Sequence, residues 1–237
     1  LLTSINTSTT IYKVFIMLDI KELTMKQHKN AERQGFVKVL LSGNIHPKFY
    51  ATFLWNIHKK YDILEAMAFA QGCLDGLVDI RRKMKIEQDF AELWKDDELP
   101  ILVESTHKYL AHMKEIMNDP DKLMAHVYTL HMGDLSGGQF IRKKVPGEGR
   151  MYTFDTDIPA LKDAIRAKTN DDMAEEAKLV FETVDTSFKT KANKHVNENL
   201  GRASKSISTP SAPSKKPIVE SDEMVMRFQK LAGIING

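Results

Sequence analysis

The sequence predicts an all-α protein built as a single helical bundle, and three observations carry that reading. Apolar residues recur at three- to four-residue spacing through one segment after another. The one stretch with an extended look, Tyr152 to Asp157, has no second strand to pair with. At 237 residues the chain is long enough for one well-buried core, which favours one large domain with a tail over two equal domains. The net charge of +2 gives no strong field, which argues against a dedicated nucleic-acid binder. Cys73 is the sole cysteine, so an intrachain disulfide framework is excluded and a reducing compartment is suited; the expectation is a buried, inert thiol.

Residues 1–17 form an N-terminal extension that is Ser/Thr-rich with a short apolar patch. Ile11 to Leu18 is too short to span a bilayer and is interrupted by Lys13, so neither a transmembrane helix nor a secretory signal is expected, and Met17 suits a natural start. A first helix is expected from Asp19 to Ser42-Gly43, with Leu23, Phe36, Val39 and Leu40 inward and His28 in its middle. Pro47 suits a first helical position and opens a helix to about Gln71, whose stripe is Phe49, Phe53, Ile57, Tyr61, Leu64 and Ala68. Gly72 and Gly76 loosen its end. LVDIRRKMKIEQDFAELW then reads as a shorter amphipathic helix, with Arg81, Arg82 and Lys83 on a solvated face.

Leu99-Pro100 breaks the chain before a helix with the stripe Leu102, Thr106, Tyr109, Leu110, Met113 and Met117. After the Asn118–Asp121 turn a central helix is expected from Asp121 to Lys144, ended by Val145-Pro-Gly. Ile158-Pro-Ala opens another helix, and Asp171 to Leu200 closes the fold, with Met173, Ala177, Val180, Phe181, Val184 and Phe188 on one side. The helical domain thus covers residues 18–201. Residues 202–237 read as a flexible Ser/Pro/Lys-rich linker and a short terminal helix.

The chain is organised around YTLHMGDLSGGQFIRKK, Tyr128 to Lys144. It carries Gly133, Gly137 and Gly138 inside a helical pattern, and each costs roughly 1 kcal/mol against alanine. Glycines four apart share a helical face on which a flat ligand can reach the backbone, with Asp134 pointing a carboxylate into the gap. Tight helix packing, or a helix end at Gly137-Gly138, explains the same residues equally well.

GDLSGGQ, after a Tyr-Thr pair and before a basic pair, resembles the distal helix of the haem oxygenase family. IKELTMKQHKNAERQGF, Ile20 to Phe36, is similar to that family's proximal helix, RRK–EQD matches at the corresponding place, and EEAKLVF resembles its final core helix. The resemblance covers Asp19 to Leu200. It implies haem b sandwiched between the first helix and the glycine helix, with His28 as iron ligand and Glu32 as the carboxylate that holds its other ring nitrogen. Their four-residue spacing puts both on one helical face.

The resemblance further implies an O2-dependent enzyme that opens haem at the α-meso carbon to biliverdin IXα, carbon monoxide and Fe2+. Gly133, Gly137 and Gly138 would shape the distal wall. Asp134 would hold an ordered water that delivers protons, supported by Tyr61. Tyr128, Lys21, Lys162 and Arg166 would contact the haem edge, the three cations gripping its propionates. Reduced ferredoxin is the implied electron donor, as in the soluble bacterial, algal and phage-type enzymes, with a bilin reductase as a downstream partner. A monomer without membrane or nucleic-acid partners, in the cytoplasm or a plastid stroma, is expected. A haem-binding or haem-sensing protein without catalysis is the alternative on the same scaffold.

The chain departs from the family pattern at three positions. Leu130 stands where many relatives have arginine, His131 where an aromatic is usual, and Val184 where animal members have asparagine. Other chemistry is weakly supported. His107 and His112, like His126 and His131, are five apart and diverge by about 140° around a helix, which makes poor ligand pairs. Glu104-x-x-His107 occurs once, whereas a di-iron bundle needs two copies. Walker, dinucleotide-binding, nucleophile-elbow and paired CxxC motifs are missing.

Overall fold

Asp19 opens the first helix by accepting a 3.3 Å hydrogen bond from the Lys21 amide, which satisfies one of the amides that a helix start leaves without a partner. The computed structural model describes residues 19–33 and 35–183, so the extension, the tail and the part of the last helix expected beyond residue 183 lie outside the described residues. Among the described residues every regular element is helical.

The expected first helix is two, α1 (Ile20–Glu32) and α2 (Gly35–Ser42). Gly35 at the junction carries the helix penalty of roughly 1 kcal/mol, and the break lets each half bury a different face. Ile20 and Thr24 of α1 turn into the bundle, whereas Phe36, Leu40 and Leu41 of α2 are buried elsewhere. Gly43, with φ +74°, ends α2 in the left-handed conformation that glycine adopts without strain.

Helix α3 (Pro47–Ala70) is the axis of the fold. Tyr50, Leu54 and Tyr61 serve one apolar cluster, and Leu64 and Ala68 serve a second. Leu64 is completely buried, so truncation to alanine would cost about 2–5 kcal/mol. Buried Asn56 accepts from the Val103 amide at 2.8 Å and donates to the Ile101 carbonyl at 3.1 Å, which seats the start of α5 (Glu104–Glu115) against α3. Met117, expected on the inner stripe of α5, lies beyond its end and is 45% exposed. Cys73 is buried, as expected, and burial raises its thiol pKa.

The RRK segment is not part of one continuous amphipathic helix. A 3-10 turn, Val78–Ile80, precedes α4 (Lys83–Leu93), and Arg82 is buried rather than solvated. Its guanidinium donates to the carbonyls of Ile80, Asp79 and Thr153 and stacks 4.0 Å over Phe154, so backbone acceptors rather than water meet its charge.

The central helix also divides, into α6 (Pro120–Ser136) and α7 (Gly138–Ile141), with Gly137 between them. The Gln139 side chain clamps this break by donating to the carbonyls of Asp134 (3.2 Å) and Tyr152 (2.9 Å). Tyr152, the first residue of the stretch with an extended look, instead ends a second 3-10 turn, Arg150–Tyr152, and Thr153 after it is extended; buried Asp89 of α4 caps the turn by accepting from the Arg150 and Met151 amides. Helix α8 (Ile158–Arg166) begins where Ile158-Pro-Ala predicts it. Helix α9 (Ala174–Thr183) packs on both α1 and α6 and so sets the spacing between them.

Candidate functional site

Between α1 and α6 lies a cleft with His28 on one wall and Gly133 and Gly137 on the other. Their sequence separation places the two glycines one turn apart on the same face of the central helix. A β-carbon added to Gly133 would meet nothing within 4 Å, so at Gly133 backbone faces open space, flanked along the same helix by Thr129, Met132 and Ser136. Gly138 is different. A β-carbon there would lie 2.5 Å from Tyr152 Cδ1, so Gly138 serves tight packing and does not line the cleft.

His28 Nδ1 lies 3.4 Å from Glu32 Oε1, and Glu32 is buried. That contact leaves Nε2 as the ring nitrogen for a metal, held in the orientation that an outer carboxylate imposes on a ligating imidazole. The ring packs at 5.4 Å, tilted, against Phe181 of α9.

Lys21 of α1 and Lys162 and Arg166 of α8 line the same cleft. Partial burial lowers the Lys162 pKa first, and the nearby charges of Arg166 and Lys21 lower it further. Three cations drawn together at the edge of a partly desolvated cleft are arranged for an anion. Arg166 also pairs with exposed Asp163 at 2.7 Å. Tyr128 lines the cleft beside them, its pKa raised to about 12 by burial and by Asp19, against the lowering effect of Arg166.

Asp134 does not line the cleft, contrary to the expectation of a carboxylate aimed into the gap. It follows Gly133 by one residue, hence by about 100° of helix rotation, and faces α3. There it accepts a 2.6 Å hydrogen bond from Tyr61. Burial raises its pKa to about 6, offset in part by His131, the Tyr61 hydrogen bond and Arg82. His131 is completely buried, its ring edge-on to Tyr61 at 5.2 Å and its Nδ1–H donating to the Val127 carbonyl at 3.1 Å. Leu130 is partly buried and packs against both apolar clusters.

Glu65 organises this buried group, and sequence reading missed it. It lies 3.6 Å from His131 Nε2 and accepts from the Arg82 and Lys83 amides, thereby capping α4 from α3. Burial pushes its pKa up, yet His131 and the two amides outweigh this and hold it below the usual carboxylate range. The available signal was a charged residue one turn from Tyr61 and beside Leu64, on the face that also carries Ala68. The pairing of Arg82 with backbone carbonyls left no such signal.

An all-helical bundle with an imidazole facing a glycine wall across a cationic cleft defines a haem-protein scaffold. A family model described as "Heme oxygenase" matches residues 16–198, and the chain belongs to the haem oxygenase family. It is 31% identical over 229 residues to "Heme oxygenase 2" of Oryctolagus cuniculus, covering 84% of this chain and 68% of that protein. It is 31% identical over 146 residues to "Heme oxygenase" of Guillardia theta, covering 54% of this chain and 57% of that protein. Among solved structures, haem oxygenase-1 from the cyanobacterium Synechocystis in complex with haem matches with TM-score 0.65 and 25% identity, over 78% of this chain and 93% of that one. The haem oxygenase of Leptospira interrogans matches with TM-score 0.60 and 26% identity, over 70% of this chain and 96% of that one. The residues present fit a haem: one imidazole, open space over Gly133 opposite it and cations for two carboxylates.

Proposed function

We propose that this chain cleaves haem oxidatively at the α-meso carbon, giving biliverdin IXα, carbon monoxide and ferrous iron. The observation that carries this is His28, 3.4 Å from Glu32, across from Gly133, where backbone faces open space, and Gly137 in a cleft that also holds Lys21, Lys162 and Arg166. Bound haem supplies the redox chemistry by which dioxygen is activated. His28 Nε2 serves as the iron ligand, and Glu32 keeps the imidazole in one tautomer. The cations take the propionates and fix the in-plane rotation, hence the carbon attacked. Asp134, with Tyr61 on its carboxylate, holds protons and releases them to the distal side through ordered water; a pKa of about 6 suits that task near neutral pH.

Reduced ferredoxin as the electron donor and a bilin reductase as the consumer of the product belong to the same proposal and follow from the resemblance in sequence to the soluble bacterial, algal and phage-type enzymes. No described helix is long and apolar enough to cross a membrane. The compartment this reading implies is a cytoplasm or plastid stroma, with the chain acting as a monomer. The test is an absorbance time course of the full chain loaded with haem, before and after addition of ferredoxin, its reductase and dioxygen. Loss of the Soret band with accumulation of a bilin is expected, and His28→Ala should abolish it, with added imidazole partly restoring the iron's ligand field. A Soret band that survives electrons and dioxygen would replace this reading with haem binding alone.

A further inference from the structure

Away from the cleft, α5, α6 and α9 bring three donors of metal-binding type to one point. His126 Nε2 lies 2.9 Å from Glu176 Oε1, and His112 Nε2 contacts the same oxygen. One ligand atom from each of the three residues falls within 4.8 Å of the others. His126 is 1% exposed and Glu176 7%, whereas the His112 side chain is 28% exposed and stands at the solvent side. Of the far nitrogens, His126 Nδ1 is held by the Tyr109 hydroxyl at 3.1 Å, whereas His112 Nδ1 lies 3.6 Å from Oε2 of exposed Glu115.

We propose that His112, His126 and Glu176 form a site for a divalent transition cation of the Zn2+ or Fe2+ type. Two imidazoles and one carboxylate suit such a cation and not Ca2+ or Mg2+, which take oxygen ligands. Bonds of about 2.0–2.1 Å arranged tetrahedrally separate neighbouring donors by roughly 3.3 Å, close enough to the present spacing for side-chain rotation to supply the rest. The outer contacts support the same reading. When Nε2 binds a metal the ring proton sits on Nδ1, and at buried His126 the Tyr109 hydroxyl offers it an oxygen, as outer partners of ligating histidines do, with the Glu115 carboxylate near His112. Three protein ligands leave one position for water. Glu176 also lines a cavity of about 470 Å³ with Asp119, Asp121, Asp172 and Glu175, whose carboxylates outnumber its one cation, Lys122, so that on the Glu176 side a cation meets a net acidic surface.

The probes are Co2+, followed by the visible absorption of its tetrahedral complexes, and Zn2+, followed calorimetrically, on the full chain freed of metal and haem. One ion per chain is expected, with the same stoichiometry in His28→Ala, which separates the site from the His28–Glu32 pair. His112→Ala removes a partly exposed ligand and should weaken binding by about tenfold or more, while circular dichroism and haem titration stay unchanged; His112→Cys should restore binding. Glu176→Gln should lose the tetrahedral Co2+ spectrum. Failure of both ions to bind up to millimolar concentration would overturn the proposal. So would binding that survives His112→Ala and Glu176→Gln but is lost in Asp121→Asn or Asp172→Asn, which would assign the ion to the acidic surface.

Discussion

Gly138 and Tyr152 are packed so closely that a β-carbon on the glycine would lie 2.5 Å from the ring, while a β-carbon on Gly133, five residues earlier, would meet nothing within 4 Å. Tyr152 is buried, and Gln139 and Asp89 hold its turn, so the ring has little room to yield. Gly138→Ala should therefore lower stability by about 1–3 kcal/mol, less the gain of roughly 1 kcal/mol in helix propensity. Gly133→Ala should keep or slightly raise stability and weaken haem binding instead, because the new methyl enters the cleft. Urea unfolding and haem titration on both variants separate the two roles; equal loss of stability in both would contradict them.

Asp134 should make the protein less stable as pH rises through the mildly acidic range. Its folded-state pKa of about 6 lies above the ordinary 3.8, so between those values the native state holds the proton more tightly than the unfolded state. The contribution is complete below the lower value and is lost through the upper, amounting to about 3 kcal/mol at most. Unfolding free energy measured from pH 4 to 8 should fall less steeply in Asp134→Asn than in the parent. Asp134→Ala should still bind haem, make little biliverdin and gain peroxidase-like turnover of an added phenol; undiminished biliverdin formation would assign proton delivery to another group.

Glu65 should act with the opposite sign. Its pKa is depressed in the folded protein, so its stabilisation is present above the ordinary carboxylate range and disappears as pH falls through the folded value. Glu65→Ala strips the partner from two amides at the start of α4 and leaves His131 facing a void. A loss of about 3 kcal/mol or more is expected. Glu65→Gln keeps one acceptor and should cost less. Denaturant titrations at neutral pH rank the two, and an alanine variant as stable as the parent would remove Glu65 from its place as the link between α3, α4 and α6.

Reversing charge at Lys162 and Arg166 together should release the in-plane rotation of haem. The parent should make the α isomer of biliverdin, and the double variant should add other isomers while His28 still ligates the iron. Chromatography of the bilins decides this. A pure α product at normal haem affinity would leave Lys21 or another group to hold the propionates.

What the sequence determined by itself was whatever depends on neighbours along one helix. The helical class and the starts of α3 and α8 at Pro47 and Ile158-Pro-Ala derive from three- and four-residue spacing or from a helix-start residue, and the start of α6 at Pro120 falls one residue before the expected Asp121. His28 and Glu32 are singled out by the family resemblance, their four-residue spacing adding only that they share a helical face. The tertiary structure decided what happens between helices. Sequence spacing could not show that Gly138 faces Tyr152 while Gly133 faces the cleft, because that depends on where a loop capped by Asp89 returns. Nor could it tell that Arg82 is buried, since its acceptors are backbone carbonyls, which every residue carries. His112 and His126 made poor ligands within their own helices and meet at Glu176 only through the packing of α5, α6 and α9. Local periodicity reports which face of a helix is apolar; which partner that face meets is settled when the helices pack, and the chemistry of the buried polar groups is settled with it.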